Sequence, residues 1–170
     1  MNETDLQKAF DKIRNGDREA FTLLYSDLKQ PIYTIICRIV QSRETAEDIT
    51  QDVFVKLFVS PPEPSVKNLR AWIFRMARNL AIDALRQKQP CDPLEEHTLQ
   101  TDPDPTVKLD LERAFARLTV GERQLVALHL RAGLTFREVA AIVERPLGTV
   151  LWQYRKAIEK LRNTLDGGSL

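Results

Sequence analysis

The chain is short of the residues from which catalytic centres are usually assembled: two histidines, two cysteines and six glycines in 170 residues. The glycines form no phosphate-cradling loop, and neither His97 nor His129 stands beside a nucleophile pattern. Cys37 and Cys91 make no C-x-x-C pair and lie near no histidine doublet, so zinc has no ligand set. Both read as free thiols, with Cys37 a small core residue among Ile35, Ile36, Ile39 and Val40. No metal, cofactor or catalytic residue is assigned, and a non-enzyme is expected. Apolar runs never reach the roughly 18 residues of a membrane span, and the polar start MNETDLQKAF has no signal-peptide core. A cytoplasmic protein without membrane insertion is the expectation. Strand-like alternation is missing too, which leaves an all-α fold.

Charge is abundant but almost cancels, at a formal net of +1. Its distribution is uneven. Residues 67–88 carry Lys67, Arg70, Arg75, Arg78, Arg86 and Lys88 against Asp83 alone, and residues 145–162 carry Arg145, Arg155, Lys156, Lys160 and Arg162 against Glu159. Residues 1–66 are net acidic, and 90–106 hold only acids, Asp92, Glu95, Glu96, Asp102 and Asp104. Two separated basic segments suggest two contacts with a polyanion, and the acidic remainder suggests a protein partner.

Periodicity predicts helices over Asp5–Arg14 and Asp17–Val40, with Asn15-Gly16 as the break, Asp17 as N-cap and a kink or restart at Pro31. A third helix, Thr45–Val59, is expected to be capped by Thr45 with Asp48. Its inward stripe is Ala46, Ile49, Val53, Phe54, Leu57 and Phe58, which leaves Asp48, Gln51, Asp52 and Val55 outside. After the SPPEP loop, Asn68–Gln87 packs Leu69, Trp72, Ile73, Met76, Ala77 and Leu80 inward and turns Arg75, Arg78, Asn79 and Arg86 outward. Residues 90–106, with four prolines and five acids, read as a flexible acidic linker. Helices over Val107–Leu118 and Val120–Ala132 follow, and two small helical domains, 1–89 and 107–170, are expected.

The stretch Leu134–Leu161 contains two helices joined too tightly for an ordinary loop. Thr135 and Glu138 make a capping box, Val139, Ala140, Ile142 and Val143 an apolar face, and Pro146 starts a second helix. In that helix Leu147, Val150, Tyr154, Ile158, Leu161 and Leu165 share a buried stripe, while Thr149, Trp152, Gln153, Arg155 and Lys156 point outward. Either a helical hairpin with a solvated basic face or a DNA-reading helix-turn-helix fits these residues.

Three motifs resemble the sigma-70 family of bacterial RNA polymerase initiation factors, most closely its short extracytoplasmic-function class. Thr135-x-x-Glu138-Val139-Ala140 with Pro146-Leu147-Gly148-Thr149-Val150 resembles the helix-turn-helix of sigma domain 4, where the Gly-Thr-Val triplet opens the recognition helix. Ala46-Glu47-Asp48-Ile49-Thr50-Gln51-Asp52-Val53-Phe54 resembles the sigma domain 2 segment that binds the polymerase clamp helices. Trp72 to Asp83 resembles the W-h-h-R-h-A-R-N-x-x-h-D segment that recognises and melts the promoter −10 element. The resemblance implies polymerase binding by Asp48, Gln51, Asp52 and Phe54, and −10 contacts by Trp72, Arg75, Arg78, Asn79 and Arg86 on the melted non-template strand. It implies −35 contacts on double-stranded promoter DNA by Thr149, Leu151, Trp152, Arg155 and Lys156. Core RNA polymerase and promoter DNA are then the partners, with an anti-sigma factor a third. Departures from the family pattern are Glu144 in the turn, where glycine is usual, the run Leu151-Trp152-Gln153 in the reading helix, and Gln87 and Gln89 near the linker. A DNA-binding regulator that never meets polymerase is the alternative, but it leaves the Ala46–Phe54 motif without a purpose.

Overall fold

The computed structural model describes residues 1–88 and 105–166, and their regular elements are all helices. In order they are α1 (Glu3–Arg14), α2 (Arg18–Val40), α3 (Arg43–Val59), α4 (Leu69–Lys88), α5 (Pro105–Ala116), α6 (Val120–Leu130), α7 (Phe136–Val143) and α8 (Leu147–Asp166). The flexibility expected of the acidic linker and the frayed C-terminus falls outside the described residues. Residues 105 and 106, expected at the end of that linker, already belong to α5. Pro105 suits a first helical position, whose N–H has no partner in any helix.

Local chemistry sets the helix starts. Asn2 caps α1, accepting from the Asp5 N–H while the Asp5 carboxylate accepts from the Asn2 N–H, and Gly16 (φ 85°) turns the chain into α2. Asp17 caps α2 through the N–H groups of Glu19 and Ala20. The restart expected at Pro31 does not occur, because α2 runs to Val40 with the proline inside it. Its long apolar stripe, Leu24, Leu28, Ile32, Ile35, Ile36 and Ile39, is at most 1% exposed, and each such side chain adds about 1.5–3 kcal/mol on burial. That packing outweighs one missing hydrogen bond.

The cap expected of Thr45 with Asp48 is replaced by Ser42, whose Oγ accepts from the Thr45 N–H and from the Thr45 hydroxyl (3.0 Å). Ser42 holds an extended backbone directly after the left-handed Gln41 (φ 55°), so α3 begins sooner than the apolar spacing indicated. At the other end Phe58, expected inside, is 49% exposed, although its edge meets Phe21 at 5.0 Å. Helix α4 is capped twice. The Asn68 side chain accepts from the Ala71 N–H, and the Glu3 carboxylate of α1 accepts from the N–H groups of Leu69 and Arg70.

The buried residues of α1–α4 are continuous with Leu125, Leu128, Ala132, Leu134, Val139, Ile142 and Val150 from the C-terminal helices. A second, smaller core joins α5, α6 and α8 through Ala114, Leu118, Val126, Ala157 and Leu161. Helix α6 lies against α2 and α7 against α4. The two basic segments are thereby placed on one body, with the expected strand-binding helix turned toward α7.

Candidate nucleic-acid and partner interfaces

The α7–turn–α8 unit is built as its local sequence dictates. Thr135 and Glu138 form the capping box of α7, and Glu144 ends it in the left-handed region (φ 56°, ψ 46°), donating its N–H to the Ala140 carbonyl. Arg145 donates to that same carbonyl (3.1 Å), and the Pro146 carbonyl accepts from Val150 (3.1 Å) as α8 begins. The crossing is fixed by rings. His129 stacks on Phe136 at 4.0 Å, and both meet the Tyr154 ring edge-on. Burial raises the Tyr154 hydroxyl above its usual pKa. His129 Nδ1 lies 2.8 Å from the Leu134 carbonyl, so this histidine is a packed structural residue.

Helix α8 then presents Thr149, Trp152, Arg155 and Lys156 to solvent, with Trp152 59% exposed and Lys156 Nζ 4.9 Å from its ring centroid. Three leucines differ from the sequence reading. Leu151, expected on the reading face, is half-buried, whereas Leu147 and Leu165, expected on the buried stripe, are exposed. The twenty-residue helix outruns the body it packs on, so both ends of its apolar stripe remain uncovered. Ala157, fully buried, completes the stripe. Gln153 accepts a hydrogen bond from Arg145 (2.8 Å), which ties the turn to the reading helix.

On α3 the residues Asp48, Gln51 and Asp52 form one exposed row at helical spacing, as expected. Phe54 does not join them. It is 3% exposed, with Tyr25 at 4.6 Å and Phe21 at 6.4 Å between ring centroids, and so supports the row from behind. The row continues instead into Val55, Phe58 and Val59, an apolar end that is 49–72% exposed. Their i, i+3, i+4 spacing carries the signal in the sequence: Val55 is exposed as expected, whereas Phe58, expected inside, joins it.

The α4 group divides. Asn79 and Arg86 are exposed, and Arg86 lies 4.0 Å from the equally open Asp83. Trp72 is half-buried against the main core. Arg75 is exposed, yet its Nη2 donates to the Ala141 carbonyl of α7 (2.9 Å). Arg78 is half-buried, donates to Gln124 of α6 (3.2 Å) and Asn79 (3.3 Å), and has its guanidinium pKa lowered chiefly by burial. Arg70, absent from the sequence-derived set, reaches farther, with Nε and Nη2 on the Ala132 carbonyl (3.0 and 2.7 Å) and Nη1 on the Met1 carbonyl (3.1 Å). Among the described residues no three histidines, cysteines or carboxylates gather as a metal set, and no helix is long and apolar enough to cross a membrane.

Comparison with known proteins fits this geometry. Residues 24–90 match the family model described as Sigma-70 region 2. The ECF RNA polymerase sigma factor SigW of Bacillus subtilis is 26% identical, covering 96% of this chain and 98% of SigW. SigK of Mycobacterium bovis, another ECF RNA polymerase sigma factor, is 27% identical over 96% of this chain and 95% of its own. Among solved structures, CnrH in complex with the cytosolic domain of CnrY superimposes with a TM-score of 0.72 at 21% identity, covering 97% of this chain and 99% of that one. The sigma factor RpoE of Bartonella quintana, solved with the anti-sigma factor NepR, gives 0.69 at 20% identity, covering 86% and 96%. These two show the fold.

Proposed function

The chain belongs to the sigma-70 family of RNA polymerase sigma factors, in its extracytoplasmic-function class, and from that premise we propose that it binds core RNA polymerase and directs promoter-specific initiation. The observation that carries this reading is the exposed row Asp48, Gln51 and Asp52 on α3, inside the segment that matches sigma-70 region 2. Among the described residues these exposed carboxylates face solvent rather than the core, and a basic surface on polymerase would complement them.

The proposed division of labour assigns residues 1–89 to polymerase and the −10 element and residues 107–170 to the −35 element. Arg75, Arg78, Asn79 and Arg86 are positioned to hold phosphates and displaced bases of the melted strand, with Trp72 stiffening the helix beneath them. Thr149, Trp152, Arg155 and Lys156 on α8 enter the major groove, with Leu151 at its margin. An anti-sigma partner is part of the same proposal, covering the apolar end of the α3 row. The role is binding, not catalysis, and its place is with polymerase in the cytoplasm.

The test is the pair Asp48→Lys and Asp52→Lys. Association with core polymerase, followed by co-elution on a sizing column, is expected to disappear while far-ultraviolet circular dichroism stays unchanged. Undiminished co-elution of a folded variant would remove α3 as the polymerase contact and leave a DNA-binding regulator as the better reading.

A further inference from the structure

Helix α1 lies outside residues 24–90, the stretch that matches Sigma-70 region 2, and carries none of the proposed interface residues. Its apolar face, Leu6, Ala9, Phe10 and Ile13, is buried against α2 and α4. Side chains from its two ends reach beyond that core to the segment that leads into α4. At the first residue, the Glu3 carboxylate accepts from the Leu69 and Arg70 N–H groups. At the last, Arg14 donates through Nη1 to the Pro62 carbonyl (2.7 Å), while its Nη2 is paired with Asp11 one turn back.

The segment so held, residues 60–68, has few means of holding itself. Pro61, Pro62 and Pro64 have no N–H to donate, and within the segment Val66 donates to the Glu63 carbonyl (3.1 Å). Pro62 is buried, whereas Glu63, Pro64, Ser65 and Lys67 are exposed. Ordering such a loop costs conformational entropy at each residue, and here the ordering is done in advance. At 1.5 Å per residue the ends of α1 stand about 16 Å apart, a rigid spacer between one tie at Pro62 and another at Leu69. A planar guanidinium suits the first tie, since Asp11 fixes one side of the fork while the other faces the carbonyl.

We propose that α1 is a brace, with Arg14 and Glu3 as positioning residues that hold the 60–68 loop and the first turn of α4 in the geometry needed to capture a displaced strand. This rests on the reading of α4 as the strand-binding helix. Arg14 touches no DNA in this scheme and acts through the Pro62 backbone. Releasing the loop leaves affinity for the closed duplex, supplied by α8, as it was. It slows strand opening, because the loop must then be ordered during that step.

The experiment uses the full chain with core polymerase, on a promoter recovered by selection with that holoenzyme and carrying 2-aminopurine in the non-template strand of the −10 element. Strand opening is read as a rise in fluorescence. Arg14→Ala is expected to slow opening about tenfold while polymerase association, closed-complex affinity and the far-ultraviolet spectrum keep their wild-type values. Arg14→Lys, which retains one donor for the Pro62 carbonyl, is expected to recover most of the rate. Glu3→Ala tests the second tie and is expected to slow opening in the same way, and Lys12→Ala, at an exposed position of the same helix, controls for the lost charge. Opening by Arg14→Ala at the wild-type rate, closed-complex affinity lost in step with it, or a slowed rate that lysine does not recover overturns the brace and leaves the reading of α4 standing. Absence of any fluorescence rise with the wild-type holoenzyme overturns that reading and the brace with it.

Discussion

Arg75 Nη2 donates to the Ala141 carbonyl at 2.9 Å, so a residue expected on melted DNA closes the end of the first helix of the helix-turn-helix. On the proposed function one guanidinium thus has two uses that exclude each other in time. Replacing it removes both, and the two losses are separable by the template on which transcription is measured.

Arg75→Ala with Arg78→Ala is expected to impair transcription from a duplex promoter more than from one already opened over the −10 element, since the role proposed for these groups is on displaced bases and phosphates after duplex binding. Abortive-product synthesis on the two templates makes the comparison. Equal losses would reduce the pair to general affinity for polyanions.

On α8, Arg155→Glu is expected to abolish preference for the −35 element while leaving the polymerase complex intact, because the α3 row lies on another helix. Lys156→Ala should instead weaken all sequences alike and lower the salt slope by about one. It also frees the Trp152 ring, over which its ammonium now sits. A binding-site selection at several salt concentrations distinguishes base reading from phosphate contact, and a sequence preference that survives Arg155→Glu would contradict the assignment.

Glu144 occupies the left-handed region at φ 56°, where a side chain costs about 1 kcal/mol relative to glycine. Glu144→Gly is therefore expected to raise the urea midpoint. The gain is tempered because the Glu144 carboxylate also favours the charged form of Arg78, and Glu144→Asn, which tolerates the same backbone, separates the two contributions. A midpoint lowered by glycine would mean that the electrostatic contribution is the larger.

Acid sensitivity follows from Glu122 and Glu138. Burial pushes both upward, but the Lys160 hydrogen bond and the Thr119 capping bonds outweigh it at Glu122, as do the Asn68 and Thr135 bonds at Glu138, so both carboxyls titrate below the usual 4.5. A carboxyl held low when folded stabilises the fold above its unfolded pKa and loses that contribution as pH falls through the folded value. Urea midpoints from roughly pH 7 down to about pH 3 should fall on the acid side, and less steeply in Glu138→Gln, which starts lower at neutral pH. An unchanged acid slope in that variant would show that Glu138 keeps an ordinary carboxyl in the folded chain.

Much of the molecule was written in short-range chemistry. Asp17 before an apolar stripe, Thr135 three residues ahead of Glu138, and Gly16 and Gly133 at positive φ specify starts, caps and turns within one or two helical turns, and these were legible from order and spacing. So were the exposed row on α3 and the outward Thr149, Arg155 and Lys156, since 3.6-residue periodicity alone divides a helix into faces. Errors gathered where the answer depends on partners far along the chain. Leu151 lost exposure and Phe58, Leu147 and Leu165 gained it because coverage depends on which helix lies opposite and how far it extends. The docking of α7 on α4 joins residues 66 apart, Arg75 to Ala141, and the ion pair from α2 to α5 joins residues 74 apart, Arg38 to Glu112. No periodicity encodes such a pairing. It comes from the shape of two helical groups and from helix ends seeking donors, so the hydrogen bonds of Arg70 and Arg75 to backbone carbonyls of the C-terminal half emerged only once the whole chain was packed.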